Sequence, residues 1–190
     1  MKIDGGMYFM TKNTAKNVLI LSGSPRKAGN SDLLCDEFMR GALEAGHSVL
    51  KLYVHDREIG ACRACYGCRN TGNCVQKDDM AELLDKLVAA DVIVLASPVY
   101  FYSMDGQMKT MIDRTLPRYT EITDKDFYFI ATAAAGKGAM VRTMEALQGF
   151  TDCLPGADVK GRIYGAGVYQ KGEIKGTKTM QEAFEMGRNA

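Results

Sequence analysis

From Asn17 onward short apolar runs alternate with longer amphipathic segments, and few architectures accept that alternation. It argues for parallel strands joined by crossover helices. The tightest constraint is Val92 to Ala96, apolar at every position, as a central parallel strand covered on both faces must be. Val18 to Leu21 and Ser48 to Val54 read as strands one and two, Asp126 to Ala133 and Val159 to Val168 as strands four and five. Between them, Leu33, Leu34, Phe38, Met39 and Leu43 fall on one helix face that stops near Gly46, with Asn30 or Ser31 as its N-cap. Met80, Leu83, Leu84, Leu87 and Val88 form a second helical stripe ended by Asp91. Met104 to Leu116, Gly138 to Phe150 and Lys178 to Gly187 complete the helices, and Pro98 is expected to stop the third strand's ladder.

Five strands in this order predict an α/β, flavodoxin-like three-layer sandwich, its five-stranded parallel sheet ordered 2-1-3-4-5. A chain of 190 residues corresponds to one domain, placed at 17–190, with 1–16 as an N-terminal extension and a cysteine-rich loop at 60–76. Twenty-four Lys and Arg balance 23 Asp and Glu, so the chain has no field to gather nucleic acid or an anionic membrane. A small-molecule or protein partner is expected instead. No apolar run approaches the roughly 18 residues of a membrane span, and Asp4, Lys12, Asn13 and Lys16 interrupt any secretory signal. The expected location is the cytoplasm.

In an open parallel sheet ligands sit beyond the carboxyl ends of the strands. The loop after strand one offers hydroxyl and amide groups from Ser22, Ser24, Asn30 and Ser31, a fixed charge from Arg26, and close backbone approach at Gly23 and Gly29. A helix start follows it, which suits a phosphate. The loop after strand three carries Tyr100, Phe101 and Tyr102, able to wall a planar ring, although three adjacent aromatics cannot all face inward. The small residues Thr132, Ala133, Ala134, Ala135 and Gly136 at the end of strand four leave backbone amides free to bond a ligand's polar edge. A G-x-G-x-x-G fingerprint is absent.

Leu21 to Ser31, followed by Ala96-Ser97-Pro98-Val99-Tyr100-Phe101-Tyr102-Ser103, resembles the NADPH-dependent FMN reductase family over nearly the whole folded region. The resemblance implies that Ser22, Ser24, Arg26, Asn30 and Ser31 hold the FMN phosphate. It implies that Pro98, Val99, Tyr100, Phe101, Ser103 and Met104 flank the ribityl chain and ring system; Thr132, Ala133 and Gly136 read either as backbone donors to the flavin's polar edge or as a plain strand-to-helix turn.

Cys62, Cys65, Cys68 and Cys74 fall within 13 residues, spaced x2, x2 and x5. Two x2 spacings in a tight loop bring three thiolates onto one compact object, and Gly72 lets the chain return with a fourth. Structural zinc more often takes two pairs about 12–20 residues apart, so the spacing suits a cluster better than zinc, with no bound metal as the third reading. Arg63, Arg69 and Lys77 either offset a cluster's charge or stand in solvent. Within the wider family the spacing is similar to that of the iron–sulfur flavoproteins, which implies a 4Fe-4S cluster, oxygen-labile, on these four residues. Cys35 and Cys153 read as small buried hydrophobes. His47 and His55 read as strand-edge residues, and Lys109, Arg114 and Arg118 as a solvated helix face ahead of a contact for a nicotinamide dinucleotide's phosphates.

The resemblance thus implies an FMN-dependent oxidoreductase passing electrons from NAD(P)H or a ferredoxin-like donor to an acceptor by way of the cluster, in a homodimer or homotetramer. No side chain is assigned as a catalytic acid or base. Three other readings stay open: a cluster-free NAD(P)H-dependent flavin or quinone reductase, a flavodoxin-like electron carrier, and a zinc-stabilised binding module. Dedicated carriers are usually acidic, and this chain is not.

Overall fold

The computed structural model describes residues 15–190. Five parallel strands, β1 (Asn17–Ser22), β2 (Ser48–Tyr53), β3 (Val92–Pro98), β4 (Asp126–Ala133) and β5 (Asp158–Ala166), form one sheet in the order β2-β1-β3-β4-β5. Helices α1 (Asn30–Glu44), α2 (Met80–Ala89), α3 (Gly106–Asp113), α4 (Val141–Thr151) and α5 (Lys178–Arg188) cover both faces. This is the flavodoxin-like sandwich expected from the alternation of runs.

The period-2 geometry of a strand divides the core cleanly. Leu19, Leu21, Ile93, Leu95, Phe127 and Phe129 pack against α2, α3 and α4. Val18, Ile20, Val92, Val94, Tyr128 and Ile130 face α1 and α5. There the two helices touch backbone to backbone, because a Cβ on Gly41 would overlap the Phe184 carbonyl and one on Gly187 the Phe38 carbonyl. Among the described residues no helix is long and apolar enough to cross a membrane.

Several boundaries differ from the sequence reading, each for a local reason. α1 is capped by the extended Gly29, with no side-chain cap, because Asn30 is bonded elsewhere. Pro98 ends β3 opposite Thr132, and the next residue, Val99, still donates its N–H to Thr132 O at 2.8 Å. Neighbouring strand N–H groups point in opposite directions, so the donor that Pro98 lacks would face β1, whose pairing has already ended at Ser22. α3 is shorter than Met104–Leu116, since Asp105 caps it by accepting from Met108 N at 2.9 Å. Met104 therefore lies outside the helix and joins the core.

The extension assigned to 1–16 lies outside the described residues except for Ala15 and Lys16. Lys16 is tied to the sheet, its Nζ 3.0 Å from Asp126 Oδ2 and its N–H donating to His47 Nδ1 at 3.1 Å. His47 is accordingly buried, its other ring nitrogen 3.1 Å from Ala190 O. Cys35 is buried as expected, and burial pushes its thiol up to about 12. Cys153 is not: it follows α4 on the solvent side, with Sγ 3.3 Å from Gly149 O.

Candidate functional site

The loops at the carboxyl ends of β1, β3, β4 and β5 enclose a cleft of about 180 Å³. Ser24, Arg26, Gly29, Asn30 and Ser31 form its floor at the start of α1, Pro98, Val99 and Tyr100 one wall, and Thr132, Ala133 and Ala134 another. A third wall was not foreseen from the sequence: Val168, Tyr169 and Lys171, in the loop after β5. Arg26 and Lys171 bring two cations, and among the described residues no carboxylate lines the cleft. The first-turn N–H groups of a 15-residue helix add unpaired donors and the positive end of its dipole. The charge and donors of the floor suit an anion.

Asn30 shows how the floor is held. Its Nδ2 donates to Gln170 O at 2.9 Å, and its Oδ1 accepts from Gly172 N at 3.1 Å and Ile174 N at 3.2 Å. The side chain is consumed in clamping the β5 loop over the cleft, leaving its backbone to face a ligand. Ser24 Oγ accepts from Arg26 N at 3.2 Å and shapes the turn. Asp32, inside the first turn of α1, carries a charge that would oppose an anion, but it accepts from Ala28 N at 2.6 Å and is paired with Lys51. Lys51 is held strongly protonated by hydrogen bonds to Asp32 and Asp36, which outweigh its burial.

Ser22, Phe101, Ser103, Met104 and Gly136 lie outside the cleft lining. Ser22 Oγ is buried without a hydrogen-bond partner at the end of β1. Tyr100 and Ser103 bond each other's backbone, N to O, at 2.9 and 3.0 Å, closing a tight turn. Its central residues, Phe101 and Tyr102, have φ of 50° and 63°. Two successive positive φ values are the hairpin pattern that Asn-Gly adopts without strain, and bulky side chains there cost on the order of 1–2 kcal/mol each. Phe101 is fully exposed at the tip.

The cysteine loop is stitched at its base. Glu58 and Asp79 bond twice, at 2.8 and 3.0 Å, Gly60 N donates to Asp78 Oδ2 at 3.1 Å, and Gln76 Nε2 to Ala61 O at 3.1 Å. Cys62, Cys65, Cys68 and Cys74 all line one small hollow, of about 20 Å³, whose floor includes Arg114. Ala64 and Tyr66, with φ of 49° and 57°, bend the chain between the thiols. Among the described residues no three cysteine, histidine or acidic side chains are gathered closely enough to hold one metal ion. Zinc would require sulfurs on the order of 4 Å apart, whereas a cubane spreads its four ligands more widely.

Arg114 overturns its reading as a solvated charge. It is 1% exposed and bonds Asp78 through both terminal nitrogens, at 2.7 and 2.8 Å. Arg118 pairs with Asp85 and Glu121, and Lys109 with Asp113, on the surface. Arg63, Arg69 and Lys77 are exposed, Arg69 stacking on the Tyr66 ring at 4.0 Å.

The family model described as NADPH-dependent FMN reductase matches residues 16–170. An iron-sulfur flavoprotein of Archaeoglobus fulgidus is 38% identical over 132 residues, 65% of this chain and 60% of that protein. A second, from Methanocaldococcus jannaschii, is 33% identical over 135 residues, 70% of each. Among solved structures, an azoreductase from Bacillus anthracis shares the fold with a TM-score of 0.72 at 17% identity, covering 92% of this chain and all of that one.

Proposed function

The chain belongs to the NADPH-dependent FMN reductase family, and from that premise we propose an FMN-dependent oxidoreductase that carries a 4Fe-4S cluster on Cys62, Cys65, Cys68 and Cys74. Electrons would pass between a reduced donor, NAD(P)H or a ferredoxin-like protein, and a small-molecule or protein acceptor. The observation that carries the flavin reading is the cleft itself: two cations, a helix start and, among the described residues, no carboxylate, beside a tyrosine wall. Bound there, FMN supplies hydride and single-electron chemistry and the cluster supplies single-electron transfer.

The chain's own residues position and shield. Ser24, Arg26 and the first amides of α1 would take the phosphate, and the Asn30 clamp keeps Tyr169 and Lys171 over it. Tyr100, Pro98 and Val99 would lie along the ribityl chain and ring, with Thr132 and Ala133 opposite. The enclosed volume is below the ~300–1,000 Å³ of sites that surround a whole ligand. The reacting edge of a flavin would therefore stay open to a partner, beside the exposed Phe101 and Tyr102.

For the cluster, support comes from four thiols on one hollow and from a buried cation beneath them whose Nε has no partner. The names of the two iron–sulfur relatives agree with this reading. We propose a homodimer or homotetramer as the working assembly, in which a second chain covers the exposed aromatic turn.

The test is the visible spectrum of protein purified without oxygen, with FMN, iron and sulfide quantified on the same sample. Flavin bands with an air-sensitive shoulder and about four iron and four sulfide per chain are expected. Flavin without iron would leave the cluster-free reductase, and absence of both would overturn the proposal.

A further inference from the structure

Arg114 ends α3, the helix that begins just beyond the aromatic turn, and its side chain passes under the cysteine loop. Taking a guanidinium out of water costs several kcal/mol unless its donors are used. One terminal nitrogen donates to Gly60 O at 2.6 Å and to Asp78 Oδ2 at 2.7 Å, the other to Asp78 Oδ1 at 2.8 Å. That pairing fixes the plane of the group. Its Nε–H has no partner although it is buried, and the residue lines the same hollow as the four thiols. The Asp78 carboxylate keeps the guanidinium protonated. Arg63, Arg69 and Lys77 are exposed and screened by water, whereas the Arg114 guanidinium is buried and its charge, partly offset by Asp78, is screened less.

We infer that Arg114 is a positioning residue for the cysteine-bound centre: it anchors the loop through Gly60 and Asp78 and offers its free Nε–H and fixed charge to the thiolate-ligated group, raising its reduction potential. The inference rests on the cluster reading above. A positive charge and a donor beside the sulfurs stabilise the reduced, more negative state, and both are recognised determinants of cluster potential.

Arg114→Lys keeps a cation for Asp78 and removes the Nε–H, whereas Asp78→Asn keeps the Nε–H and removes the carboxylate. Each is purified anaerobically, its iron and sulfide counted, and its cluster titrated electrochemically by electron paramagnetic resonance. With iron retained, Arg114→Lys should show about a tenfold lower ratio of reduced to oxidised cluster at a fixed potential, which is ~59 mV for one electron. Asp78→Asn should not fall below the parent. A parental potential in Arg114→Lys, or an equal drop in both variants, would make Arg114 a structural residue only and overturn the inference. Parent protein without iron and sulfide would instead overturn the cluster reading, and this inference with it.

Discussion

Asp105 lies directly beneath Gly23: a Cβ built on Gly23 would overlap the Asp105 carboxylate. The contact joins the loop after β1 to the cap of α3. Gly23 N donates to Ala96 O at 2.8 Å, and the Asp105 carboxyl group hydrogen-bonds Ser97 and Met108, so it ties the end of β3 to the start of α3 while packing under the β1 loop. Gly23→Ala should therefore destabilise the protein by about 1–3 kcal/mol, as overpacking does, and weaken flavin binding with it. Urea unfolding and FMN fluorescence quenching on the same preparation check both effects.

The state of Asp105 predicts a pH dependence. Ser97 has one hydroxyl hydrogen, yet Pro98 O and Asp105 Oδ2 both lie 2.7 Å from its Oγ. A proton on Asp105 resolves that conflict, and burial raises the pKa of this group in the same direction. A carboxyl group whose folded pKa exceeds its unfolded one binds more protons when folded. Its favourable contribution is present below the ordinary value near ~4 and is lost as pH rises through the raised value. Asp105→Asn, always neutral, should gain stability relative to the parent as pH rises from about 4, the ordinary carboxylate value, through the raised one. A difference in urea midpoint that stays flat across that range would count against a neutral Asp105.

Arg26 is exposed, its Nη1 3.5 Å from Tyr169 O, so it is free to turn toward a phosphate. Arg26→Ala should lose a charge-assisted contact of about 1.5–3 kcal/mol, a weakening of FMN binding of roughly 10- to 150-fold. Riboflavin, which has no phosphate, should bind both proteins alike. Equal losses for the two ligands would mean that Arg26 shapes the cleft without contacting phosphate.

The turn at Phe101 and Tyr102 pays in backbone strain for presenting two aromatic rings. Replacing the pair by Asn-Gly should raise the stability of the flavin-free protein by about 1–3 kcal/mol, since that dipeptide accepts both positive φ values. Flavin or partner affinity should fall. Thermal unfolding of the flavin-free forms separates the two effects, and an unchanged midpoint would show that the turn stores no strain.

The sheet order, the core stripes and the cysteine set were legible in the chain because each is a matter of period or spacing over a few residues. Val92 to Ala96 announced a central strand, and strand four was read at its observed limits, Asp126 to Ala133. The polar loop after β1 was legible for a similar reason, since its polar groups are contiguous and precede a helix. Misreadings arose where one side chain serves a distant segment. Asn30 looked like a cap, but its partners at Gln170, Gly172 and Ile174 lie 140 to 144 residues away. Arg114 looked like a surface charge by helical spacing, but its partners are Gly60 and Asp78, 54 and 36 residues earlier.

Local pattern thus carries the fold and the inventory of chemistry: a parallel sheet with a polar loop before α1, an aromatic loop and four clustered thiols. Which residues line the cleft follows from packing, which brings in Tyr169 and Lys171 and leaves Phe101 at a strained tip outside it. Packing also places a single buried arginine under the thiols. The physical reason is that apolar periodicity is written locally, whereas a polar group's role depends on which distant donor or acceptor the packed chain brings within about 3 Å of it.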